Sequence, residues 1–350
     1  MKVGIIGGSG YVGGELIRIL IQHPEVEIEY ATSRTYANEY VFRVNPNLRG
    51  FTDLKFSPFD LDSLINKSDI SIIALPHGIS GKIVPKLLEA EVKVIDIGAD
   101  FRLKKKEDYV KWYGWEHPSP DLLNEAVYGL PELHRDEIKN SKLIACPGCM
   151  ASCTILGLAP IAKENLIEND RIIVDVKIGS SGGGAAPTQA SHHPERFGGV
   201  RSYKPIGHRH TAEIEQEINN LSSDPISVSF TPHSVNMVRG ILSTIHTFST
   251  KELNLPYLWK AYRSFFRDEP FIRLIRDKKG VHRLPDPRNN IGTNFCDLGF
   301  EFDKHTNRLL IFSAIDNLTR GAAGQAVQCL NIILGINEET GLKFPSLHPL

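Results

Sequence analysis

The sequence KVGIIGGSGYVG at residues 2–13 decides the fold of the N-terminal half of this chain. Residues 2–6 form a short apolar run, Gly7, Gly10 and Gly13 follow in a G-x-x-G-x-x-G pattern, and a helical pattern begins directly after them. Small residues at these positions let the backbone approach a pyrophosphate at a helix N-terminus. The order strand, glycine turn, helix predicts a dinucleotide site; the alternative is a glycine turn that only closes strand–helix packing.

Strands and helices continue to alternate as far as about residue 150. Apolar or alternating runs predict strands at 26–30, 70–75 and 92–97, and residues 83–90 have a helical pattern. Strands that alternate with helices indicate a parallel sheet with helices on its faces. The first domain is therefore predicted to be α/β, with a Rossmann-type doubly wound parallel sheet.

After about residue 150 the predicted strands become longer and more regularly alternating, at 171–178, 226–231, 241–248, 295–302 and 308–315. They predict an α+β second domain with a mixed or antiparallel sheet. A chain of 350 residues also exceeds the roughly 250 to 300 at which single cores stop growing. We therefore expect a first domain at 1–147, a second at 148–317, and a C-terminal helix and tail, 318–350, that return to the first.

The composition excludes several classes of protein. With 40 Lys and Arg against 41 Asp and Glu, the formal net charge of -1 provides no overall field to attract nucleic acid. The uncharged stretch 143–162 has the length of a membrane helix, about 20 residues, but proline interrupts it at 147 and 160. Five cysteines without a signal peptide predict reduced thiols and a cytoplasmic protein.

The segment after the second predicted strand favours NADP(H) as the cofactor. An acidic residue there would bind the ribose 2'-hydroxyl of NAD, yet Ser33, Arg34 and Thr35 occur, with no carboxylate before Glu39. A guanidinium binds a 2'-phosphate in a forked, charge-assisted way. The alternative is a surface arginine that merely follows a strand.

Cys149 is the strongest candidate for a nucleophile. Residues 143–145 predict a strand and 146–148 a turn, so Cys149 opens the next helix, where unpaired N–H groups lower the pKa of a thiol. The spacing of Cys146 and Cys149, with Cys153 nearby, also permits a metal cluster, but no second C-x-x-C pair occurs. The remaining cysteines, Cys153, Cys296 and Cys329, are predicted to be buried apolar fillers.

Two further segments carry candidate chemistry. His208 and His210 offer the proton acceptor that a cysteine nucleophile needs, and their spacing predicts rings on opposite sides of an extended segment, only one facing the thiol. Two surface histidines that cap the following helix are the alternative. The glycine-rich residues 179–184 offer closely spaced backbone N–H groups to an oxyanion or phosphate, or form a flexible loop.

Taken together, these segments resemble the N-acyl-gamma-glutamyl-phosphate and N-acyl-aminoadipyl-phosphate reductases, relatives of aspartate-semialdehyde dehydrogenase. The resemblance covers nearly the whole chain and rests on seven motifs in family order: GGSGYVG at 7–13, LPHG at 75–78, GADFRL at 98–103, YGLPEL at 128–133, PGC at 147–149, HRHTAE at 208–213 and IDNL at 315–318. It implies an enzyme that reduces an acyl phosphate to a semialdehyde with NADPH, through a cysteine thioester.

The resemblance also implies roles for individual residues. Cys149 corresponds to the acylated nucleophile and His208 to the general acid/base. Cofactor contacts are expected at Ser9, Gly10, Tyr11, Val12, Gly13, Ser33, Arg34, Thr35 and, near the nicotinamide, Asn317. Substrate contacts are expected at Ser181, Gly182, His210 and Arg102. Arg102 is our own candidate for the phosphate from its charge and strand-end position, with an interface salt bridge as the alternative.

Residues 191–210 look like the lysine-pathway branch of the family, whose substrates are attached to an acidic amino-group carrier protein. Met150, Ser152, Cys153 and Ala185 depart from the arginine-pathway pattern. The expected partners are thus an acyl phosphate, glutamyl or aminoadipyl, and a carrier, unless the same positive charges bind the substrate phosphate. The resemblance also implies that the α+β domain at 148–317, with a mixed sheet, is the catalytic and dimerisation domain of a homotetramer or homodimer. An enzyme like aspartate-semialdehyde dehydrogenase and a non-catalytic NADP-binding regulator are the alternative functions.

Overall fold

The computed structural model describes residues 1–250 and 253–349, and the chain divides into two units. The first unit comprises Met1–Pro147 and Ala322–Lys343; the second comprises Gly148–Gly321 and the residues from Phe344 onward. The assignment of all of 318–350 to the first unit was therefore wrong. The segment after Phe344 returns to the second unit, where the Ser346 hydroxyl donates to the carbonyl of Ile291 at 2.9 Å.

Within the described residues, the first unit contains a six-stranded parallel sheet in the order β2-β1-β3-β4-β6-β5. Its strands are β1 (Lys2–Ile6), β2 (Glu27–Ala31), β3 (Ile70–Ile73), β4 (Lys93–Asp96), β5 (Val127–Tyr128) and β6 (Leu143–Ala145). The apolar runs of β3 and β6 are fully buried, as in sheets covered on both faces. The predicted Rossmann-type sheet is confirmed.

The second unit contains a mixed sheet of seven described strands in the order β11-β12-β13-β10-β7-β9-β8. These are β7 (Ile172–Ile178), β8 (Arg201–Ser202), β9 (Val228–Ser234), β10 (Ile241–Phe248), β11 (Ile272–Leu274), β12 (Cys296–Asp303) and β13 (Arg308–Ile315). The pairs β7/β9 and β11/β12 are parallel and the others antiparallel. The mixed sheet is confirmed.

The helices pack on these sheets within each unit. They are α1 (Tyr11–Leu20), α2 (Val41–Val44), α3 (Leu61–Lys67), α4 (Val84–Glu89), α5 (Lys106–Tyr113), α6 (Pro131–Asn140), α7 (Cys149–Lys163), α8 (His193–Arg196), α9 (His210–Asn219), α10 (Leu255–Phe265) and α11 (Gly324–Leu334). In the first unit α11 contacts α1, α6 and β4. None of the helices in the described ranges combines the length and apolarity needed to cross a bilayer.

Helix α7 is the centre of the second unit. It is buried on almost every side, with α9 and α10 beside it and β10 and β13 beneath it. Gly157 permits this close approach, because a Cβ atom there would lie 2.9 Å from the side chain of Ile245. Strand β10 alternates buried and half-buried residues, so one sheet face lies under the helices. The packing fixes the N-terminus of α7, where Cys149 lies.

Candidate active site

The glycine-rich loop of the first unit requires glycine for steric reasons. Gly7 has φ +89°, and a Cβ there would lie 2.4 Å from the carbonyl oxygen of Ala74, just beyond β3. A Cβ at Gly13 would lie 2.3 Å from the Gly7 oxygen, whereas Gly10 has 3.7 Å of clearance. Because β1 lies between β2 and β3, this loop opens α1 at the topological switch point of the sheet, where dinucleotides bind.

The end of β2 is tied to the same loop. The Ser33 hydroxyl donates to Ser9 Oγ at 2.8 Å, and Thr32 Oγ1 accepts the Gly7 N–H at 3.2 Å. Arg34 and Thr35 are exposed, and Arg34 forms no ion pair within residues 1–250 and 253–349. No acidic residue occupies the first turn of α1. The narrow glycine cradle and the available guanidinium fit a dinucleotide that carries a 2'-phosphate.

Two further residues predicted to contact the cofactor, Tyr11 and Val12, are the first two residues of α1. Tyr11 is exposed and Val12 half-buried at the start of α1, directly after the cap residue Gly10. Their backbone N–H groups belong to the first helical turn, which lacks intrahelical acceptors. The contacts of these residues with a cofactor stay predictions.

Arg102 makes contacts within the first unit. It is buried, and its guanidinium donates to the carbonyl oxygens of Cys146 at 2.8 Å and Ile97 at 2.9 Å. These bonds join the ends of two neighbouring strands, β4 and β6. Arg102 therefore has a structural role, because it holds the ends of these two strands together. Its contact with a substrate phosphate stays a prediction.

Two buried carboxylates beside Arg102 shape the LPHG segment, and the sequence analysis missed them. Asp100 accepts the N–H groups of Gly78 and Gly81, and Asp96 accepts the Ser80 hydroxyl, all between 2.8 and 2.9 Å. Burial, followed by the charge of Asp100, raises the pKa of Asp96 to about 7. The sequence does contain a signal for these two carboxylates: acidic residues within the apolar run at 94–100 must be buried, and buried carboxylates need hydrogen-bond partners.

Cys149 is the first residue of α7 in the second unit, as predicted. It is partly exposed and forms no disulfide, and Gly148 caps the helix with φ -66° and ψ 140°. The N–H of Gly148 donates to Glu213 Oε2 at 2.8 Å. Gly321 packs on the other side, because a Cβ there would lie 2.6 Å from the Cβ of Cys149. The nucleophile candidate is thus held from two directions at the positive end of a helix.

The two histidines lie side by side, so the prediction of rings on opposite sides of an extended segment was wrong. His210 begins α9, Arg209 before it is helical, and the two rings are 4.7 Å apart against Phe230. Both histidines are buried, and the N–H of His210 donates to His208 Nδ1 at 3.2 Å. The rings meet because the chain turns at Arg209 into α9 and the His210 N–H bonds to the His208 ring, so the segment is not extended.

The His208 ring is neutral at physiological pH. Burial, then the charges of Arg209 and Lys204, lower the pKa of His208 to about 4. Because Nδ1 accepts a backbone N–H, the proton of the neutral ring is assigned to Nε2. His208 therefore presents a hydrogen-bond donor.

Tyr203 joins the site although the sequence analysis did not select it. Its hydroxyl lies 3.8 Å from Met150 Sδ, and its ring centroid is 6.1 Å from that of His208. Partial burial of Tyr203, 36% of which stays exposed, followed by the electrostatic effect of Cys149, raises the pKa of Tyr203 to about 12. The phenol therefore keeps its proton beside both the thiol and the imidazole. No spacing rule identifies such a residue, because its contact with Met150 joins segments 53 residues apart.

The glycine-rich residues 179–184 do not offer the row of free N–H groups that was expected. Bonded N–H groups occur at five positions: Gly179 donates to Gly240, Ser180 to Met237, Ser181 to Val238, Gly182 to Gly179, and Gly184 to Ser181. Of the two alternatives for this segment, an anion cradle and a flexible loop, the hydrogen bonds disfavour the cradle, because these donors hold the turn after β9 and the loop itself. Contacts of Ser181 and Gly182 with substrate stay predictions.

Asn317 holds the same loop. Its side-chain oxygen accepts the N–H of Gly240 at 2.8 Å, and its amide donates to Ser181 Oγ at 3.0 Å. The Ser181 hydroxyl in turn donates to the carbonyl of Val238 at 2.6 Å. Asn317 thus has a complete set of contacts within the second unit, and its proximity to a nicotinamide stays a prediction.

The remaining cysteines are buried, but they are more than apolar fillers. Cys153 Sγ lies 3.2 Å from the Ser313 carbonyl and 3.3 Å from its hydroxyl, and Cys296 Sγ lies 3.4 Å from the same hydroxyl. Burial raises the pKa of Cys153 well above the ordinary value. Cys153 is therefore a poor nucleophile at neutral pH, which leaves Cys149 as the candidate on α7.

Comparison with protein families matches both units. Residues 2–141 match the model of the semialdehyde dehydrogenase NAD binding domain, and residues 149–317 match that of the semialdehyde dehydrogenase dimerisation domain. Among solved structures, an aspartate semialdehyde dehydrogenase II from Vibrio cholerae superposes with a TM-score of 0.70 at 19% identity, covering 95% of this chain and 98% of that one. The Candida albicans aspartate semialdehyde dehydrogenase with NADP has a TM-score of 0.68 at 15% identity, with the same coverage.

Curated relatives are much more similar in sequence. A protein of Cenarchaeum symbiosum, named putative [LysW]-L-2-aminoadipate/[LysW]-L-glutamate phosphate reductase, is 53% identical over all of both chains. The [LysW]-L-2-aminoadipate/[LysW]-L-glutamate phosphate reductase of Saccharolobus solfataricus is 52% identical, covering 100% of this chain and 99% of the relative.

Proposed function

We propose that this chain, which belongs to the semialdehyde dehydrogenase family, reduces a carrier-linked 2-aminoadipyl or glutamyl phosphate to the semialdehyde with NADPH and releases phosphate. The observation that carries the proposal is the placement of Cys149, partly exposed at the first position of α7, beside a phenol in contact with a neutral histidine. The substrate class is taken from the names of full-length relatives about half identical to this chain.

Cys149 is the nucleophile of this reaction. The first-turn N–H groups and positive end of α7 favour its thiolate. The thiolate attacks the carbonyl carbon of the acyl phosphate, a C–S bond forms, and the C–O bond to phosphate breaks as phosphate leaves with the bonding electrons. The product of this half-reaction is a thioester on Cys149, which stores the acyl group until it is reduced.

His208 and Tyr203 stabilise the oxygen of the tetrahedral intermediates. His208 offers an N–H from a neutral ring, and Tyr203 offers an O–H that stays protonated. Both are hydrogen-bond donors to an oxyanion, and donors of this kind act where charge develops. We assign His208 as the general acid of this step, since its Nε2–H can donate to the thiohemiacetal oxygen while Nδ1 is occupied by the His210 N–H.

The first unit supplies the cofactor site. NADPH provides the hydride that no side chain can supply. The glycine cradle at 7–13 and the start of α1 hold its pyrophosphate, while Ser33, Arg34 and Thr35 bind its 2'-phosphate. Cys149 must be reduced at the start of each catalytic cycle, which fits the reducing cytoplasm.

An acidic carrier protein docks on the exposed segment 192–206. The segment contains Arg196, Arg201 and Lys204 against a single acid, Glu195, and it ends next to Arg209. It also exposes three apolar side chains, Phe197 at 67%, Val200 at 72% and Ile206 at 87%. Positive charge combined with exposed apolar surface suits an acidic protein partner better than a small phosphate alone. Binding of the substrate phosphate by the same charges is the competing role.

The outer face of the second sheet serves as the subunit contact of a homodimer or homotetramer. Alternate residues of β10, Leu242 to Phe248, are half-buried on this face, and Ile173 of β7 is 45% exposed. A sheet face that remains partly apolar is typical of an isologous contact. Light scattering after gel filtration tests this assembly, and a monomer would contradict it.

The substrate test is an assay with four acyl phosphates at equal concentration: carrier-linked aminoadipyl, carrier-linked glutamyl, N-acetylglutamyl and aspartyl phosphate. We expect NADPH oxidation with the carrier-linked pair and little with the others. Preference for aspartyl phosphate would establish the alternative of an aspartate-semialdehyde dehydrogenase. Tight NADPH binding without turnover of any substrate would establish a regulator.

The thioester step is tested with Cys149→Ser. We expect this variant to lose turnover while it still binds NADPH, since its cofactor site is intact. Cys296→Ser is the matched control, because that thiol is buried in the same unit. Turnover retained by Cys149→Ser would eliminate the covalent scheme.

A further inference from the structure

Glu213 contacts both parts of the candidate site. Its carboxylate is fully buried; Oε2 accepts the Gly148 N–H at 2.8 Å, and Oε1 lies 3.9 Å from His210 Nε2. Gly148 is the cap residue immediately before Cys149. Burial of a carboxylate lowers the stability of the folded protein unless the group is hydrogen-bonded or paired. The contacts with Gly148 and His210 therefore account for a glutamate at position 213.

The connection continues to His208 through the backbone. Glu213 and His210 lie in the first turn of α9, and the N–H of His210 donates to His208 Nδ1. Two hydrogen bonds, separated by one helical turn, therefore join the turn before the thiol to the imidazole. Since α7 and α9 pack directly on each other, the distance between Cys149 and His208 depends on this link.

We propose that Glu213 is a positioning residue that fixes the Cys149 thiolate relative to the His208 imidazole in the acyl-phosphate reduction proposed above, on which this inference rests. Its carboxylate binds a backbone N–H at the helix end that favours the thiolate. Glu213 thus acts on the thiol in two ways, through the geometry of the turn and through its negative charge.

Glu217 provides a matched comparison on the same helix. It lies one turn further along α9, it is also buried, and its carboxylate accepts a hydrogen bond from Gln216 at 2.9 Å. A role limited to anchoring α9 predicts similar effects when either carboxylate becomes an amide. A positioning role predicts an effect on the thiol at Glu213 alone.

The experiment measures the rate of iodoacetamide alkylation of Cys149 against pH, together with kcat and KM, in Glu213→Gln and Glu217→Gln. In Glu213→Gln the loss of a neighbouring negative charge lowers the apparent pKa of alkylation by about half a unit to one unit. We expect kcat to fall about ten-fold, with KM for the acyl phosphate nearly unchanged. Glu217→Gln matches the wild type in all three quantities.

The other ionisable groups around the thiol, the imidazole and Glu213 are the same in every variant: Tyr203, Cys153, His208, His210, Arg209 and Lys204. Glu213→Asp retains the charge but shortens the reach, so it restores the alkylation profile and leaves kcat low. This variant also carries the test if Glu213→Gln does not fold.

An unchanged alkylation profile and kcat in Glu213→Gln, or equal changes in both glutamine variants, would overturn the proposal. Alkylation requires no acyl phosphate, so it decides the role of Glu213 even if the wild type reduces none of the four substrates. In that case the proposed function fails separately.

Discussion

The two glycine-rich loops of this chain each follow a strand, yet the structure uses them differently. In residues 7–13, Gly7 and Gly13 are required because a Cβ would overlap backbone oxygens, and the loop opens onto α1. In residues 179–184, five N–H groups are bonded to carbonyls; a Cβ at Gly179 would also lie 2.6 Å from the Val238 oxygen, whereas a Cβ at Gly183 would meet nothing within 4 Å. Glycine content alone therefore does not indicate an anion site; the α-helix that begins directly after the first loop does, since the N–H groups of Gly7, Gly8 and Gly10 are bonded too.

The difference changes where stabilisation of an oxyanion is expected in the second unit. With the N–H groups of 179–184 engaged in hydrogen bonds within the second unit, the candidate donors to an oxyanion are the first turn of α7, the His208 ring and the Tyr203 hydroxyl. Helix N-termini thus serve both units, for the cofactor pyrophosphate at α1 and for the thiolate at α7.

The largest effect is expected at Gly13, where the first loop is most constrained. In Gly13→Ala the new Cβ would lie 2.3 Å from the Gly7 oxygen and 2.6 Å from the Cα of Gly8, so the backbone must move. We expect a loss of roughly 3 kcal/mol in the free energy of unfolding. NADPH affinity should fall by more than about 100-fold, as followed by fluorescence titration.

Gly10→Ala is the control for stability, since its Cβ has 3.7 Å of clearance. Its melting temperature should match that of the wild type, and any loss of NADPH affinity then reports the close approach of the cofactor. Wild-type stability in Gly13→Ala would mean that the first loop is no more constrained than the second.

The next effect concerns the cofactor preference of the first unit. Arg34→Asp removes the exposed guanidinium and introduces a carboxylate that repels a 2'-phosphate. The ratio of NADPH to NADH affinity should fall by about 10- to 100-fold, the equivalent of one or two charge-assisted bonds. Arg43→Asp is the control, because Arg43 is paired with Glu39. An unchanged ratio in Arg34→Asp would remove its assigned role.

The sequence predicted the first region well because its signals are local. Apolar runs fixed the parallel strands, and the glycine spacing located a loop whose steric demands arise within a few residues of it. In the second unit, β10 and β13 have the bounds that alternation predicted, at 241–248 and 308–315. The short strands β5, β8 and β11 carry too few residues for a periodicity.

What the sequence could not supply were contacts between distant segments. The N–H groups of Ser180 and Ser181 are bonded to carbonyls near residue 238, and no local pattern encodes that pairing. Glu213 and Tyr203 likewise join the site only through tertiary packing. The relative orientation of the two histidine rings was predicted wrongly because α9 begins at His210. The residue before it, Arg209, is not one of the residues that typically cap a helix, so the sequence gives no sign of this start.

A smaller effect is expected from the titration of His208 in the second unit. Its pKa is about 4 in the folded protein, against about 6.5 in an unfolded chain. The unfolded chain therefore binds a proton between these values that the folded one does not. The free energy of unfolding should fall by about 1 to 2 kcal/mol as pH decreases from 7 to 5.

Urea unfolding at pH 7 and pH 5 checks this pH effect. In His208→Gln the part of the pH dependence that belongs to His208 disappears, whereas replacement of the exposed His305 leaves the dependence intact. Equal pH dependence in His208→Gln and the wild type would contradict a depressed pKa.

The smallest effects are expected in the second loop, and they test the contrast most directly. Ser181→Ala removes the bond to the Val238 carbonyl and the acceptor of the Asn317 amide, so unfolding should cost about 1 kcal/mol less. We expect kcat to fall less than about ten-fold, whereas removal of an oxyanion donor lowers kcat by a factor of about 10² to 10³.

Gly183→Ala is the control, with open space around its Cβ, and its free energy of unfolding should be within about 0.5 kcal/mol of that of the wild type. A hundred-fold loss of kcat in Ser181→Ala at wild-type stability would place oxyanion stabilisation in this loop and remove the difference between the two regions.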